Sequence, residues 1–128
     1  MKTVITYGTF DTFHYGHLEL LTRAARLGDR LFVGVSTDKF NQLKGKKCMF
    51  SYSKRVEWLS YIKVVDTFFE ENSWEQKEYD IQKYNASVLV MGDDWAGKFD
   101  SLNSICDVVY LKRTENISTT EIKNLQSR

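Results

Sequence analysis

One stretch near the start of the chain constrains the fold more than any other. Residues 7–17 read Tyr-Gly-Thr-Phe-Asp-Thr-Phe-His-Tyr-Gly-His, between an apolar run at 3–6, typical of a short buried strand, and a run at 18–27 with the apolar stripe of a helix. A helix that begins here carries His14 and His17 three residues apart, on one side of its first turn. Because a helix N-terminus presents unpaired N–H groups, this pattern favours a site that handles phosphate.

The size and charge of the chain limit the classes of protein to consider. Its 128 residues fit one domain, residues 1–128, and its net charge of +1 provides no global field for nucleic acid or a membrane surface. No apolar run is long enough for membrane insertion, so we expect a cytoplasmic protein. The two cysteines, Cys48 and Cys106, lack metal-ligand spacing, and we interpret them as reduced thiols.

Apolar runs alternate with helical patterns along the chain. This alternation predicts an α/β fold in which helices cover both faces of a parallel five-stranded sheet. The predicted strands are residues 3–6, 31–36, 64–69, 87–91 and 108–111, and the predicted helices are residues 18–27, 52–63, 74–84 and 118–125. We interpret residues 37–51 as a loop. Ligands of such sheets bind beyond the carboxyl ends of the strands, where residues 8–17, 92–95 and 113–119 would meet.

The residues at this edge allow several interpretations. His14 and His17 could stabilise charge on a phosphate, pack in the core or form half of a metal site. Lys44 and Lys46 could reach phosphates from their loop or form a solvated face. Arg113 offers a guanidinium fork for phosphate, ahead of a helix start at residues 118–120 that supplies hydroxyls and N–H groups.

Other side chains near the predicted strand ends are open to more than one role as well. The carboxylates of Asp11, Asp93 and Asp94 could serve Mg²⁺ or cap turns, and the indoles of Trp74 and Trp95 could stack on a base or pack in the core. The glycine pattern matches neither G-x-G-x-x-G nor the P-loop, which argues against NAD and against a Walker-type nucleotide site.

Two long motifs connect the chain with a known family. Residues 8–17 resemble the G-x-F-D-x-x-H-x-G-H signature of the cytidylyltransferases, and residues 113–120 resemble their R-T-x-G-I-S-T-[ST] signature. The resemblance spans nearly the whole chain and implies a single-domain, Rossmann-like nucleotidyltransferase fold. It implies direct in-line transfer of CMP from CTP to a phosphorylated alcohol with release of pyrophosphate. At this length the chain is most similar to family members that use sn-glycerol 3-phosphate and make CDP-glycerol for teichoic acid precursors.

The resemblance also implies roles for individual residues. The catalytic residues would be His14, His17, Lys44, Lys46 and Arg113. The nucleotide would contact Gly8, Thr9, Phe10, His14, Gly16, His17, Lys46, Gly92, Asp94, Trp95, Arg113, Thr114, Ile117, Ser118, Thr119 and Thr120. The acceptor would contact Asp11, Lys44, Lys63 and Trp74. Family members need Mg²⁺, held mainly through the CTP phosphates, and are commonly homodimers.

Two departures from the family pattern affect these expectations. Asn116 replaces a glycine, although asparagine tolerates a positive φ better than other residues do. Lys63 replaces an arginine and loses its bidentate fork. The alternatives are another acceptor (phosphoethanolamine, phosphocholine or an alditol phosphate), ATP as the donor, or a nucleotide-binding regulator without catalysis.

Overall fold

The architecture is a parallel sheet with helices on both faces. The computed structural model describes residues 1–12 and 15–112. Its five strands lie in the order β3-β2-β1-β4-β5, and every neighbouring pair is parallel. The strands are β1 (Thr3–Gly8), β2 (Arg30–Ser36), β3 (Thr67–Glu71), β4 (Ala86–Gly92) and β5 (Asp107–Leu111). This confirms the predicted fold class.

Four helices and two short 3₁₀ turns connect the strands. The helices are α1 (Tyr15–Ala25), α2 (Asp38–Leu43), α3 (Tyr52–Leu59) and α4 (Gln76–Lys83). The 3₁₀ turns, Asp93–Trp95 and Asp100–Ser104, both lie between β4 and β5. Among the described residues, no helix is both long and apolar enough to cross a lipid bilayer.

Alternate residues of the strands build two separate cores. Val4, on one face, packs in a cluster with Leu21 of α1 and Leu59 of α3. Its neighbour Ile5, on the other face, packs in a second cluster with Ile81 of α4. Because successive side chains of a strand point to opposite faces, the apolar strand runs require a cover on both sides.

Residues 37–51 are not a continuous loop, and this sequence prediction was wrong. The segment contains α2, whose N-cap Thr37 accepts a hydrogen bond from the backbone N–H of Phe40 at 3.2 Å. Phe40 and Asn41 are buried, and these anchors hold a helix too short to show an apolar periodicity.

Some predicted bounds shift by a few residues. The third strand begins at Thr67 rather than at residue 64, because residues 64 and 65 pack on the core from a turn. Helix α3 ends at Leu59 rather than at residue 63, since the N–H groups of Tyr61 and Ile62 bond three residues back. The predicted helix at 118–125 lies outside the described residues.

Candidate active site

The loop that follows β1, residues 8–12, has a constrained shape, and we call it the β1 loop. A Cβ atom on Gly8 would lie 2.7 Å from the ring of Phe10, so any larger residue there would displace that ring. Phe10 adopts φ of 53°, a conformation uncommon outside glycine, while its ring is buried. The ring meets His17 of α1 edge to face, with centroids 5.3 Å apart. The loop thus fixes one face of the His17 imidazole.

A cavity of about 140 Å³ lies at the carboxyl edge of the sheet. Strands β1 to β4 all reach it, which is the position expected for a ligand in a parallel α/β sheet. Its lining combines three lysines, one carboxylate and an aromatic wall: Tyr7, Gly8, Thr9, Ser36, Lys44, Lys46, Glu71, Trp74, Lys77, Met91, Trp95 and Phe99. This composition suits a phosphorylated ligand that carries a ring.

Lys44 and Lys46 reach the cavity from the segment after α2, residues 44–50, which we call the lysine loop. The Lys46 Nζ donates to the Thr9 Oγ1 at 3.3 Å, and the Lys44 Nζ donates to the Ser36 Oγ at 3.2 Å. The Lys44 ammonium also lies over the ring of Phe40, 4.5 Å from its centroid. Partial burial lowers the pKa of Lys44, and the positive charge of Lys46 lowers it further, against the opposing effect of the Glu71 carboxylate.

A buried ion pair forms the floor of the cavity. The Lys77 Nζ of α4 lies 2.9 Å from Glu71 Oε2 at the end of β3, and both side chains are at most 5% exposed. The other carboxylate oxygen accepts from the Ser36 hydroxyl at 2.9 Å. The Lys77 ammonium also lies over the ring of Tyr7, 4.5 Å from its centroid. Hydrogen bonds and a ring face therefore compensate the two buried charges.

Behind this pair lies a second buried polar contact. The Tyr7 hydroxyl donates to Asp80 Oδ2 at 2.7 Å, and the Gln76 side-chain amide donates to the same oxygen at 2.9 Å. Burial raises the pKa of Tyr7 well above its usual range, and the bonded Asp80 carboxylate raises it further. The tyrosine therefore stays a neutral donor that ties β1 to α4.

Three aromatic side chains form one wall of the cavity. The Trp95 ring centroid lies 5.8 Å from that of Trp74 and 5.7 Å from that of Phe99. Trp74 in turn contacts Phe40 edge to face, with centroids 5.2 Å apart. Trp74 remains 47% exposed, so an indole surface is open to a ligand. Such a surface can stack on a nucleobase.

Arg55 of α3 joins three segments around the site. Its side chain is fully buried, and its guanidinium donates to the main-chain carbonyls of Thr9, Ser36 and Phe50 and to the Asp38 carboxylate. These acceptors belong to the β1 loop, the end of β2, the end of the lysine loop and the start of α2. One planar donor thereby sets the spacing of these segments.

The structure brings together some of the residues named from the sequence. Gly8, Thr9, Lys44, Lys46, Trp74 and Trp95 line the cavity, and Phe10, Gly16 and His17 lie on the β1 loop and the first turn of α1 beside it. Gly92 ends β4 at the same edge, and Asp94 follows in an exposed 3₁₀ turn. His14, Arg113, Thr114, Asn116, Ile117, Ser118, Thr119 and Thr120 lie outside the described residues.

Two of the expected acceptor contacts are placed differently. Lys63 is exposed and precedes β3, whose amino end pairs with the amino end of β2. It therefore lies at the edge of the sheet opposite the cavity. Asp11 lies near the cavity, but its two carboxylate oxygens accept the N–H groups of Met49 and Phe50, each at 2.9 Å. Its carboxylate thus binds the lysine loop.

Sequence reasoning missed half of the cavity lining. The missed residues are Tyr7, Ser36, Glu71, Lys77, Met91 and Phe99. A signal existed for two of them: Glu71 follows the third apolar run, and Lys77 lies four residues before the buried Ile81 on the same face of a helix. Neither signal by itself shows that the two charges meet.

The described residues offer no ready-made cage for a metal ion. Within residues 1–12 and 15–112, no group of three or more His, Cys, Asp or Glu side chains comes together. The Asp11 carboxylate is engaged by main-chain N–H groups. A Mg²⁺ ion with few protein ligands, held largely by substrate phosphates and water, is compatible with this arrangement.

Comparison with known proteins gives matches over almost the whole chain. The model of the family described as Cytidylyltransferase-like matches residues 5–125. A glycerol-3-phosphate cytidylyltransferase of Staphylococcus aureus is 55% identical over 96% of this chain and 93% of its own length. The protein of the same name from Bacillus subtilis is 58% identical over 96% of this chain and 95% of its own.

Solved structures show the same fold at lower identity. The lipopolysaccharide core biosynthesis protein of Thermoplasma volcanium superimposes with a TM-score of 0.75 at 24% identity, covering 90% of this chain and 99% of its own. A putative nicotinate-nucleotide adenylyltransferase of Vibrio parahaemolyticus gives a TM-score of 0.61 at 16% identity, covering 97% and 80%.

Proposed function

Because the chain belongs to the cytidylyltransferase-like family, we propose that it transfers CMP from CTP to sn-glycerol 3-phosphate. The products are CDP-glycerol, a precursor for teichoic acid, and pyrophosphate. The observation that carries this proposal is the identity of 55–58%, over 96% of the chain, with three relatives named glycerol-3-phosphate cytidylyltransferase. The cavity of cations and aromatic rings at the carboxyl edge supports it independently.

The reaction is a substitution at the α-phosphorus of CTP. A phosphate oxygen of the acceptor forms the new P–O bond, while the bond from the α-phosphorus to the bridging oxygen breaks and pyrophosphate leaves with that electron pair. The protein supplies position and charge stabilisation rather than a covalent intermediate. We assign the stabilisation of the charge that develops at the α-phosphate to His17 and Lys46, together with His14. Arg113 and residues 118–120 would hold the departing pyrophosphate.

The two substrates occupy different parts of the cavity in this proposal. Trp95, with Gly92 and Asp94 at the end of β4, receives the cytidine, and the open indole of Trp74 borders it. The acceptor phosphate binds between Lys44 and the floor of the cavity. Two anionic groups, the acceptor phosphate and the α-phosphate of CTP, approach each other in this step, and the excess of ammonium groups over carboxylates in the cavity lining offsets their repulsion.

Three further expectations stand beside this reaction. We propose that Mg²⁺ enters with the CTP phosphates, that the enzyme is a homodimer, and that it is located in the cytoplasm. Sedimentation of the pure protein tests the second expectation and cell fractionation tests the third. The first requires that activity be lost on chelation and restored by added Mg²⁺.

The test of the function combines the protein with CTP, Mg²⁺ and sn-glycerol 3-phosphate. Pyrophosphate release is followed in time, and the organic product is identified by its mass. We expect CDP-glycerol and pyrophosphate in equal amounts, and a large loss of rate for His17→Ala with an unchanged circular dichroism spectrum. ATP in place of CTP is the matched donor control and should give little product.

Other outcomes would redirect the proposal in defined ways. Release with phosphoethanolamine, phosphocholine or an alditol phosphate, but not with glycerol 3-phosphate, would keep the reaction and replace the acceptor. CTP binding measured by calorimetry, without turnover of any acceptor, would instead favour a nucleotide-binding regulator.

A further inference from the structure

The lysine loop is attached to the β1 loop by side chains that do not face the cavity. Asp11 accepts both the Met49 N–H and the Phe50 N–H at 2.9 Å. On the other side of the same peptide segment, the buried Arg55 guanidinium donates to the Phe50 carbonyl at 3.1 Å and to the Thr9 carbonyl at 2.9 Å. Four hydrogen bonds from two charged groups thus join two loops about forty positions apart in sequence.

These bonds lie next to a residue that acts in the cavity. Lys46 precedes Met49 by three residues and, from the same loop, reaches back to the Thr9 Oγ1 at 3.3 Å. Both ends of this contact are therefore fixed by the Asp11 and Arg55 bonds, since Thr9 belongs to the β1 loop and Lys46 to the lysine loop. Lys46 itself is exposed, so its long side chain has few other contacts to hold its ammonium in place.

We propose that Asp11 is a positioning residue for Lys46, and that it sets the lysine loop through the Met49 and Phe50 N–H groups without touching either substrate. Two N–H donors satisfy one lone pair on each carboxylate oxygen, and charge-assisted bonds of this kind are stronger than neutral ones. Holding a cation in place before the substrates bind lowers the entropic cost of using it in the transition state.

The alternative roles for Asp11 are a direct contact with the acceptor, which the resemblance implies, and a contact with Mg²⁺, which a carboxylate near a strand end can make. The positioning role differs from both of these in how Asp11 and Lys46 combine. If Asp11 acts through Lys46, its removal matters little once the ammonium is gone. If Asp11 binds a ligand directly, its removal costs the same factor with or without Lys46.

The first experiment is limited proteolysis without substrates, so it does not depend on the proposed reaction. Trypsin cleaves after Lys44, Lys46 and Lys47, and the fragments are timed by mass spectrometry. In Asp11→Ala we expect cleavage in this loop to rise at least about tenfold, because the loop loses two charge-assisted bonds. Unchanged cleavage would overturn the proposal.

A matched control uses the same chemistry at the other edge of the sheet. Asp29 Oδ2 accepts the Lys2 N–H at 2.7 Å and so also joins two distant backbone segments. Asp29→Ala should leave cleavage in the lysine loop at the wild-type rate. If Asp11→Ala fails to fold by circular dichroism, Asp11→Asn replaces it; this variant keeps one acceptor oxygen and should give an intermediate rate.

The second experiment is a double-mutant cycle, and it rests on the proposed function. We expect Asp11→Ala to lower kcat/KM roughly tenfold to a hundredfold in the wild type and less than about threefold in Lys46→Met. Equal losses in both backgrounds would show a direct ligand role and overturn the proposal. If CTP and glycerol 3-phosphate are not substrates, the double-mutant cycle gives no rates at all. The proteolysis experiment still tests whether Asp11 holds the lysine loop.

Discussion

The floor of the cavity and the lysine loop both present an ammonium group, in opposite circumstances. Lys77 on the floor is buried, pairs with Glu71 at 2.9 Å and packs over a tyrosine ring. Lys44 at the loop is only partly buried; among the described residues it has no carboxylate within ion-pair distance, and its pKa is lowered by burial. The protein supplies a carboxylate partner for the Lys77 ammonium, whereas the Lys44 ammonium has a hydroxyl and a ring face beside it but no carboxylate partner among the described residues.

Within one small cavity, this contrast assigns a role in stability to Lys77 and a role in ligand binding to Lys44. A compensated buried ion contributes to the fold only while both partners are present, because either charge alone is costly there. A partly buried cation without a carboxylate partner costs stability in the empty protein, and this cost is offset when a phosphate binds. The two lysines should therefore respond in opposite ways to the same substitution.

The largest effect should come from Lys77→Met. This change leaves the Glu71 carboxylate buried without its cation, and we expect the free energy of unfolding to fall by about 3–5 kcal/mol. Urea denaturation followed by circular dichroism measures it. The control is Lys54→Met, which breaks an ion pair with Glu57 whose side chains are about half exposed, at a cost of about 0–1 kcal/mol.

A double variant sharpens the same test. Glu71→Gln combined with Lys77→Met removes both charges, so it should be more stable than Lys77→Met alone. If Lys77→Met lost no more stability than Lys54→Met, the pair would not be a structural element, and the contrast between the two lysines would fail.

Lys44→Met should show the reverse pattern. We expect kcat/KM for the proposed reaction to fall roughly a hundredfold, as when one charge-stabilising donor is removed from an active site. The free energy of unfolding at pH 7 should rise by less than about 1 kcal/mol, because Lys44 is only partly buried and solvent screens its charge. Steady-state kinetics and urea denaturation on the same preparation measure both quantities.

The pH dependence of the free energy of unfolding tests whether Lys44→Met stabilises the protein. The folded protein lowers the pKa of Lys44 below its ordinary value of 10.5. Above pH 10.5 Lys44 is neutral in both the folded and the unfolded protein, so it carries no cost in stability. The cost grows as pH falls from 10.5 to the lowered pKa, and below that pKa it is fully present. The stability advantage of Lys44→Met should be present at pH 7 and shrink as pH approaches 10.5. A destabilised Lys44→Met at pH 7 would contradict the assignment of a cation without a carboxylate partner.

Tyr7→Phe, a change beneath the floor of the cavity, should have a smaller effect on stability. The change removes the only hydroxyl that donates to Asp80 among the described contacts, and a buried carboxylate left with one donor costs about 1–3 kcal/mol of stability. The folded protein raises the pKa of Tyr7 above 10.0. The contribution of Tyr7 to the free energy of unfolding is therefore fully present below pH 10 and is lost as pH rises further.

The measurement for Tyr7→Phe is urea denaturation at pH 8 and again above pH 10. The stability gap between wild type and Tyr7→Phe should narrow at the higher pH, where the unfolded wild type gains a charge that the variant cannot carry. A gap that widens with pH would show that Tyr7 ionises in the folded protein.

The sequence was sufficient for the layout of the sheet because strand and helix patterns are local. Five apolar runs and the turn at Gly8 predicted the parallel α/β fold, and the first signature named two residues that line the cavity, Gly8 and Thr9. The floor was missed because the pairing of Glu71 with Lys77 depends on how α4 packs against the sheet, where its contacts are with β4, and the sequence pattern does not encode this packing. Because most lysines are exposed, the helical spacing of Lys77 and Ile81 was too weak a signal to predict a buried lysine.

Asp11 illustrates a second limit of prediction from the sequence. A motif marks Asp11 as a site residue, but it does not tell a ligand contact from a bond to the Met49 and Phe50 N–H groups. Short elements such as α2 were missed for a related reason, since Phe40 anchors a helix of six residues that has no room for a repeat.

The smallest effect should come from Lys63→Arg, at the edge of the sheet opposite the cavity. This third lysine is exposed and lies away from both the floor and the lysine loop, so its exchange for a bidentate arginine should change kcat/KM less than about twofold. Kinetics over a range of protein concentrations measure it, with Lys46→Arg as the control inside the cavity. A change that grows as the protein is diluted would assign Lys63 to contact between subunits. A large change independent of concentration would mean that the active site draws on the opposite edge of the sheet, and the contrast would then extend to three lysines instead of two.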